Sequence, residues 1–398
     1  MYTLSSYQYH LPEHYIAQSP VKPAHDSKLL LCKYNNNGFN LSDHHSYNLP
    51  ELLAPNTLLI ANNSQVFAAR IPLHNTKIIL SSGEESILES GEIFIVRVLF
   101  HEDGSIDQTH CIIRGSDKKH FKPGSKIIIS DTIYGYSKEF VDDGIVREIH
   151  GTTLEHLCQH YGDYPLPPYI TDTSEENQQL YQTSFGKQQG SVATPTAGLH
   201  FTPELRNKLS EQGIKRSEIT LHVGIGTFAP VVSEDIRDHE LHAETITISY
   251  SLFETIYHHK QHNHPLITIG TTSTRSIESL PQLYQLIRED IGNYLSDSCR
   301  ARRDTISQSC QNSDFLLIIS INSDTITFSS RLFIYPGYHR ILIDGIITNF
   351  HLPGTTLVML VAGLMEFDNW IQSYHHALEN NYRFASFGDA MFIDFTTP

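Results

Sequence analysis

Three histidines stand where glycine, threonine and proline crowd the chain, and that setting is where chemistry is most readily placed. His200 closes the segment GSVATPTAGLHF (190–201), His222 opens HVGIGTF (222–228), and His351 lies in TNFHLPGTT (348–356). An imidazole with its ordinary pKa of roughly 6.5 can take or give a proton near neutral pH. Gly190 and Gly198 allow backbone shapes closed to other residues, Pro195 stiffens the chain, and Thr194 and Thr196 offer hydroxyls. The stretch therefore reads as a binding loop rather than as core. The chain holds 24 histidines, and pairs such as His44-His45, His258-His259 and His375-His376 sit in polar, surface-like contexts, which singles out the other three.

Other segments carry similar mixtures. Gly224 and Gly226 follow a strand-like run and would let the backbone approach a ligand; a bulged strand end is the alternative, and a dinucleotide fingerprint would need a third glycine. In GTTSTR (270–275) a strand ends in hydroxyl residues, Thr272 among them, followed by Arg275. Hydroxyls and free N–H groups at a helix start favour an anion, and a guanidinium can grip a carboxylate at two points. The alternative is a capped helix with Arg275 paired to Glu278. HELHAE (239–244) superficially resembles a metal site, but its histidines are three apart where a helical pair of ligands wants four, so no metal is expected. Asn349 and His351 are polar groups at the end of a buried strand, the usual place for ligands in α/β sheets. Near the carboxyl end Tyr382, Arg383, Phe384 and Asp389 combine aromatics with charge, either as part of a site or as a packed strand with one ion pair.

The elements that must position these residues follow from composition and periodicity. At 398 residues, 39% hydrophobic and 18% charged, the chain is long enough for two or three packed units. Its formal charge of −16 opposes indiscriminate binding to nucleic acid, yet leaves local basic clusters at Lys118, Lys119 and Lys122, at Arg206, Lys208, Lys215 and Arg216, and at Arg300, Arg302 and Arg303. Each cluster is otherwise a solvated face. Five scattered cysteines without a CxxC pair suggest neither a disulfide framework nor a thiolate zinc site. No apolar run is long enough to span a membrane, and the amino terminus lacks a signal pattern, so a cytoplasmic location is expected.

From about Val66 to Glu148 short β-rich runs (KIILSS, EIFIVRVLF, THCIIRG, SKIIIS, GIVREI) alternate with turn signals at Glu102-Asp103-Gly104 and Asp142-Asp143-Gly144, which predicts a small barrel or sandwich. Beyond Leu166-Pro167-Pro168 helices alternate with the strand candidates Glu218 to Val223, Leu266 to Thr271, Phe315 to Ile321 and Ile341 to Thr348, which predicts an α/β layer. Thr202-Pro203-Glu204 has the cap, the proline and the acid of a helix start. Ser27 to Lys33 and Thr57 to Ala61 lack partners of their own and are assigned to that layer. The expected organisation is a layered α/β catalytic domain, residues 1–64 and 161–398, with a small β-barrel domain inserted at 65–160. Asp290 to Asp314 reads as a polar surface excursion.

Taken together, LPEHYIAQSPVKP, NNSQVFAAR, YPLPPYI, GSVATPTAGLHF, TLHVGIGTF, HELHAE, GTTSTR, FIYPGY, ITNFHLPGTTLVMLVAGL and YRFASFGDAM resemble, in order and over nearly the whole chain, the S-adenosylmethionine:tRNA ribosyltransferase-isomerases of queuosine biosynthesis. The resemblance implies an α/β domain with an inserted β-barrel. It also implies transfer of the ribosyl part of S-adenosylmethionine, as an epoxy-cyclopentanediol, to the aminomethyl group of 7-aminomethyl-7-deazaguanine in the anticodon loop of tRNA. Adenine and methionine leave; S-adenosylmethionine is the co-substrate, no metal is implied, and the enzyme is expected to act as a monomer away from membranes.

Such chemistry needs a base for the hydrogen on C5′ beside the sulfonium, an acid for departing adenine and a clamp for the methionine group. His200, His222 and His351 are the candidates for proton transfer, with the base and the acid unassigned among them. Arg275 is the candidate for the methionine carboxylate and Asp389 for a ring nitrogen or a ribose hydroxyl. Thr194, Thr196, Gly198, Gly224, Gly226, Thr272 and Asn349 are expected to line the pocket, and Tyr335 and Tyr338 to stack on a base or face the sulfonium. The family's usual Asn-Asp-Thr-Arg is here Asn62-Asn63-Ser64-Gln65, which removes charge from that part of the site. Two rivals remain: a catalytically inactive tRNA-binding relative, and another S-adenosylmethionine-dependent transferase such as a methyltransferase, against which the inserted β-rich unit speaks.

Overall fold

The computed structural model describes the chain except residues 36–37, 102–104, 117–118, 142–143, 225–230, 285–315, 322–323 and 397–398. Gly226, Lys118, the turn residues 102–104 and 142–143 and the arginine-bearing excursion 290–314 lie outside the described residues.

The frame of the molecule is a ten-stranded mixed sheet in the order Leu316–Ile321, Thr325–Ser330, Glu244–Ser249, Lys215–Leu221, Leu58–Asn62, Leu266–Ile269, Gly345–Asn349, Ala390–Asp394, Lys28–Asn35, Gly38–His45. Its middle is parallel: Leu58–Asn62 pairs with both Lys215–Leu221 and Leu266–Ile269, and Leu266–Ile269 pairs with Gly345–Asn349. A parallel strand is buried on both faces and so needs apolar residues at successive positions. LLIA (58–61) and LITI (266–269) supply them: Leu58, Ile60 and Leu266 pack into one buried cluster, while Leu59, Ala61, Ile267 and Ile269 pack into another. The two amino-terminal strand candidates do join this sheet, as Lys28–Asn35 and Leu58–Asn62.

Between the sheet strands Leu58–Asn62 and Lys215–Leu221 the chain forms a closed barrel, in the order Gly144–His150, Ile106–Gly115, Glu85–Phe100, Arg70–Ile79, Lys126–Ile128, Tyr134–Val141. This decides the barrel-or-sandwich alternative. Tyr134–Val141 escapes periodicity because its buried positions are Gly135, Ser137 and the small residues around them rather than an apolar stripe. The helix Leu154–Tyr161, capped by Thr153 at the His156 N–H, closes the barrel with Leu154, Leu157 and Cys158.

Two helices bear on the site. Pro203–Glu211 starts as its sequence suggests, with Thr202 accepting from the Leu205 N–H at 3.3 Å. Thr271–Glu278 is buried at every position, an unusual place for so polar a segment. Its hydroxyls turn inward on the helix and its neighbours: Ser276 donates to the Thr272 carbonyl at 2.9 Å and Thr274 lies 2.7 Å from the Thr268 hydroxyl. The helix is not capped by a side chain; Gly270, at φ 87°, occupies the cap position in a conformation that favours glycine.

Glu278 ends this helix and does not pair with Arg275. Its carboxylate accepts from the backbone N–H groups of Ile341 (2.7 Å), Leu342 (2.8 Å) and Ile343 (2.9 Å) and from the Tyr338 hydroxyl (2.8 Å), so the loop before Gly345–Asn349 is pinned to the helix by one buried side chain. This engages Tyr338 structurally. Removing the carboxylate leaves several buried donors without an acceptor, at roughly 1–3 kcal/mol each before relaxation. Glu278→Ala is therefore expected to lower the unfolding free energy by about 3 kcal/mol or more in chemical denaturation, and a loss under about 1 kcal/mol would contradict this account.

Candidate active site

The four parallel strands end on one edge of the sheet, and the residues just past their ends are Asn63, His222 to Gly224, Gly270 to Thr272, and Asn349 to His351. The carboxyl edge of a parallel sheet is where such folds place ligands. Here the expected site residues separate into a sealed polar network and an open cleft.

The network centres on His200, only 4% exposed. Thr196 Oγ1 donates to Asn349 Oδ1 at 3.1 Å, which leaves Asn349 Nδ2 to donate to His200 Nε2 at 3.3 Å. The proton then sits on Nδ1, facing Ser27 Oγ at 2.8 Å, and Ser27 lies 2.7 Å from the Ser46 hydroxyl. Burial pulls the His200 pKa down to about 4, against the opposing pull of Asp389, so the imidazole is neutral. His351 is sealed in the same way: Nε2 meets Thr348 Oγ1 at 3.0 Å, its N–H donates to the Tyr374 hydroxyl at 3.1 Å, and its carbonyl accepts from Tyr9. Burial lowers its pKa to about 3.

Asp389 also belongs to the interior. One oxygen accepts from the Lys28 N–H (3.1 Å) and Arg383 Nη2 (3.3 Å), the other from the Arg383 N–H (2.8 Å), so the packed-strand alternative describes this carboxylate. Thr194 donates to the Tyr181 carbonyl. Gly198 is packed so closely that a methyl there would lie 2.7 Å from Phe185 Cζ. Thr272 Oγ1 is buried and unpartnered, and Tyr335 meets Tyr2 edge-on at 6.3 Å. None of these eight residues lines the cleft.

The cleft opens between the barrel strand Glu85–Phe100 and the sheet edge. It offers about 40 Å³ of interior free space, and about 760 Å³ when its open mouth is counted. His222, Gly224 and Arg275 are the expected residues that line it; Glu244, His242, Arg97 and Phe100 join them. The His222 ring tilts against Phe100 with centroids 5.2 Å apart, and its Nδ1 is buried without a hydrogen-bond partner. Burial lowers its pKa to about 4. Gly190 explains itself here: it has φ 127°, and a methyl at that position would stand 2.8 Å from His222 Nδ1.

Arg275 reaches the cleft wall tied at two points. Nη1 donates to Glu244 Oε2 at 2.5 Å and Nε donates to the Leu332 carbonyl at 2.9 Å, with both members of the ion pair nearly fully buried. The partner that sequence suggested, Glu278, is one helical turn away; the partner that the fold supplies comes from the next segment of sheet. Glu244, the last residue of HELHAE, is thus engaged as a counter-ion. Among the described residues no group of three or more His, Cys, Asp or Glu side chains stands where it could hold a metal ion. The barrel's contribution, Arg97 and Phe100, was not anticipated, although Arg97 interrupts the apolar run EIFIVRVLF (92–100) and could have signalled a second role for that strand.

At the strand end beside the cleft, Asn63 does without charge: it donates to Glu218 Oε2 at 3.1 Å and accepts from the Thr220 hydroxyl at 2.8 Å. Glu218 also holds Lys187 (2.9 Å) and Arg216 (2.9 Å), so the basic patch around Arg216 is partly neutralised. No described helix is long and apolar enough to cross a membrane.

Comparison with known proteins fits this arrangement. The profile of the queuosine biosynthesis protein family matches residues 4–393. Proteins named S-adenosylmethionine:tRNA ribosyltransferase-isomerase are 35% identical in Thermosynechococcus vestitus (98% of this chain, 96% of that protein) and 36% identical in Synechococcus elongatus (98% and 95%). The protein of the same name from a Sulfurihydrogenibium species is 33% identical (98% and 99%). A crystal structure of S-adenosylmethionine tRNA ribosyltransferase from Thermotoga maritima aligns over 98% of this chain and 99% of its own, at 22% identity and a TM-score of 0.48. By sequence over its whole described length, the chain belongs to the queuosine biosynthesis protein family.

Proposed function

We infer that the cleft around His222 is the catalytic centre of a tRNA ribosyltransferase-isomerase of queuosine biosynthesis. S-adenosylmethionine is the ribosyl donor, and 7-aminomethyl-7-deazaguanine in the anticodon loop of tRNA is the acceptor. The protein works as a monomer in the cytoplasm, with residues 65–160 forming a β-barrel domain inserted into a catalytic α/β domain made of residues 1–64 and 161–398. The acceptor amine forms the new bond to the transferred sugar carbons, and adenine and methionine depart.

One observation carries the choice of centre: of the three candidate histidines, His222 alone lines an open cleft and has a buried ring nitrogen with no partner. A neutral imidazole with a free lone pair is a proton acceptor. His222 is accordingly assigned the proton beside the sulfonium. His200 and His351, with hydrogen bonds already placed inside the sheet edge, orient the loop of residues 190–201 and the turn after Asn349 rather than exchange protons with substrate. A nucleoside-sized ligand exceeds the cleft's interior and occupies its mouth, where the barrel strand and the segment after His222 can both reach it.

Arg275 keeps its assignment to the methionine carboxylate in a modified form. Glu244 and the Leu332 carbonyl already take two of its donor positions, so a substrate carboxylate shares the guanidinium with Glu244, whose own charge faces the amino and sulfonium groups of the donor. Removing Arg275 strips the clamp and leaves Glu244 uncompensated. Arg275→Ala is expected to raise the KM for S-adenosylmethionine at least tenfold, and an unchanged KM would take Arg275 out of the site.

The decisive assay follows adenine release and the mass gain of tRNA carrying 7-aminomethyl-7-deazaguanine. His222→Gln should lower kcat by roughly a hundredfold or more with little change in the KM for S-adenosylmethionine, as expected for loss of a general base. His200→Asn should retain the larger share of kcat while losing stability. Equal losses in both variants would remove the distinction between base and positioning residue, and no adenine from the unaltered protein would refute the enzyme reading.

The pH profile separates the same alternatives. His222 has its pKa lowered to about 4, so it stays in the neutral, proton-accepting form as pH falls through the ordinary histidine range. The kcat/KM for S-adenosylmethionine should therefore show no histidine limb near pH 6.5, and the acid limb should lie below about pH 5. A limb centred near 6.5 would place an ordinary, solvated histidine in the role instead.

A further inference from the structure

The barrel interior contains a charge that the reaction does not use. Along Gly144–His150 alternate residues face inward, and the inward set is Ile145, Arg147 and Ile149, each at most 5% exposed. An arginine thus takes a position at which the alternation calls for an apolar side chain. Space has been made for it: a methyl on Gly135 would lie 2.8 Å from Arg147 Cδ, and the Gly135 carbonyl accepts from Nη1 at 2.7 Å. The Phe121 ring lies 5.7 Å from the guanidinium carbon.

The remaining donors are unmatched. Arg147 Nε and Nη2 are both buried with no hydrogen-bond partner, and Arg147 forms no ion pair with any described residue. Cys111 is the nearest ionisable group, but burial pushes its thiol up to about 12, so it is uncharged and brings no counter-charge. A guanidinium does not give up its proton in a protein, and a buried cation without a counter-ion is expensive. Beside these donors lies a cavity of about 10 Å³ walled by Ile71, Ile95, Ile113, Ile127 and Cys111. That is room for one particle the size of a water molecule or a halide, and too little for a carboxylate with a carbon chain.

We propose that the barrel interior is a binding site for a small monovalent inorganic anion, of the halide class, held by Arg147 Nε and Nη2 and enclosed by the isoleucine wall. Chloride suits such a site better than a strongly hydrated anion, because the apolar wall offers nothing to replace a full hydration shell. The anion supplies the charge that the fold omits and joins the strand Gly144–His150 to its neighbours across the interior. The site is independent of the cleft chemistry and of the assignment of His222.

The test uses the full chain. Crystals soaked in sodium bromide should show an anomalous difference peak inside the barrel, within hydrogen-bond reach of Arg147 Nε and Nη2. In thermal unfolding at constant ionic strength, replacing gluconate by bromide should raise the midpoint of the unaltered protein by about 3 °C or more, as ligand linkage requires once bromide far exceeds its dissociation constant. Arg147→Met, which keeps the volume and removes the charge, should lose that dependence. Absence of a barrel peak overturns the proposal, as does a bromide-dependent shift that persists in Arg147→Met.

Discussion

The site depends above all on the buried, uncharged imidazole of His200 between Ser27 and Asn349. These residues come from the start of the chain, its middle and its last third, and the two ring nitrogens join them at 2.8 Å and 3.3 Å. The contact works only for the neutral ring, since one nitrogen must accept from Asn349 while the other donates. Burial enforces that form by lowering the pKa to about 4. Loop 190–201 is thereby fastened to the sheet at its end, while Gly190 at its beginning is left against His222. One histidine fixes the loop; the other keeps an open nitrogen on the cleft.

The same economy recurs in the other polar residues of the sheet edge. Glu278 gathers four donors, Asp389 three, and Asn63 bridges Glu218 and Thr220, so the groups left over are informative. Buried polar atoms are nearly always satisfied in folded proteins, and an exception calls for a ligand, a water or a function. His222 Nδ1 is such an exception beside a cleft, and Arg147 Nε and Nη2 are exceptions inside the barrel.

Much of this was legible in the sequence, for physical reasons that also explain the gaps. Apolar runs such as LLIA and LITI can only be two-face-buried strands, and short alternating runs between turn residues can close a barrel; both were read correctly. Tyr134–Val141 was missed because its inward face is built from glycine and serine, which leave room for Arg147. Glycine and threonine enrichment found His222, Gly224 and Arg275 in the cleft, but it equally flagged Thr194, Thr196, Gly198, Asn349, His200 and His351, where the same residue types serve tight packing. Composition cannot tell a loop that approaches a ligand from one that approaches its own sheet. The Arg275 partner was out of reach for a related reason: a helix suggests the residue one turn on, whereas Glu244 becomes a neighbour only once the strand order is known.

The barrel is more than an appendage to this edge. Its strand Glu85–Phe100 turns one set of side chains, Ile93, Ile95 and Val98, into the barrel core and gives Arg97 and Phe100 to the cleft, with Phe100 against the His222 ring. A register shift between Ile95 and Arg97 against Ile106–Gly115 marks where the strand changes its allegiance. Such an irregularity re-aims a side chain without ending the strand. Because one strand serves both walls, the packing inside the barrel sets where Phe100 stands, and Phe100 in turn fixes the plane of the His222 ring. The orientation of the proposed base is therefore governed from two directions at once: by glycine at position 190 on the loop side, and by a hydrophobic core on the barrel side that never meets the substrate.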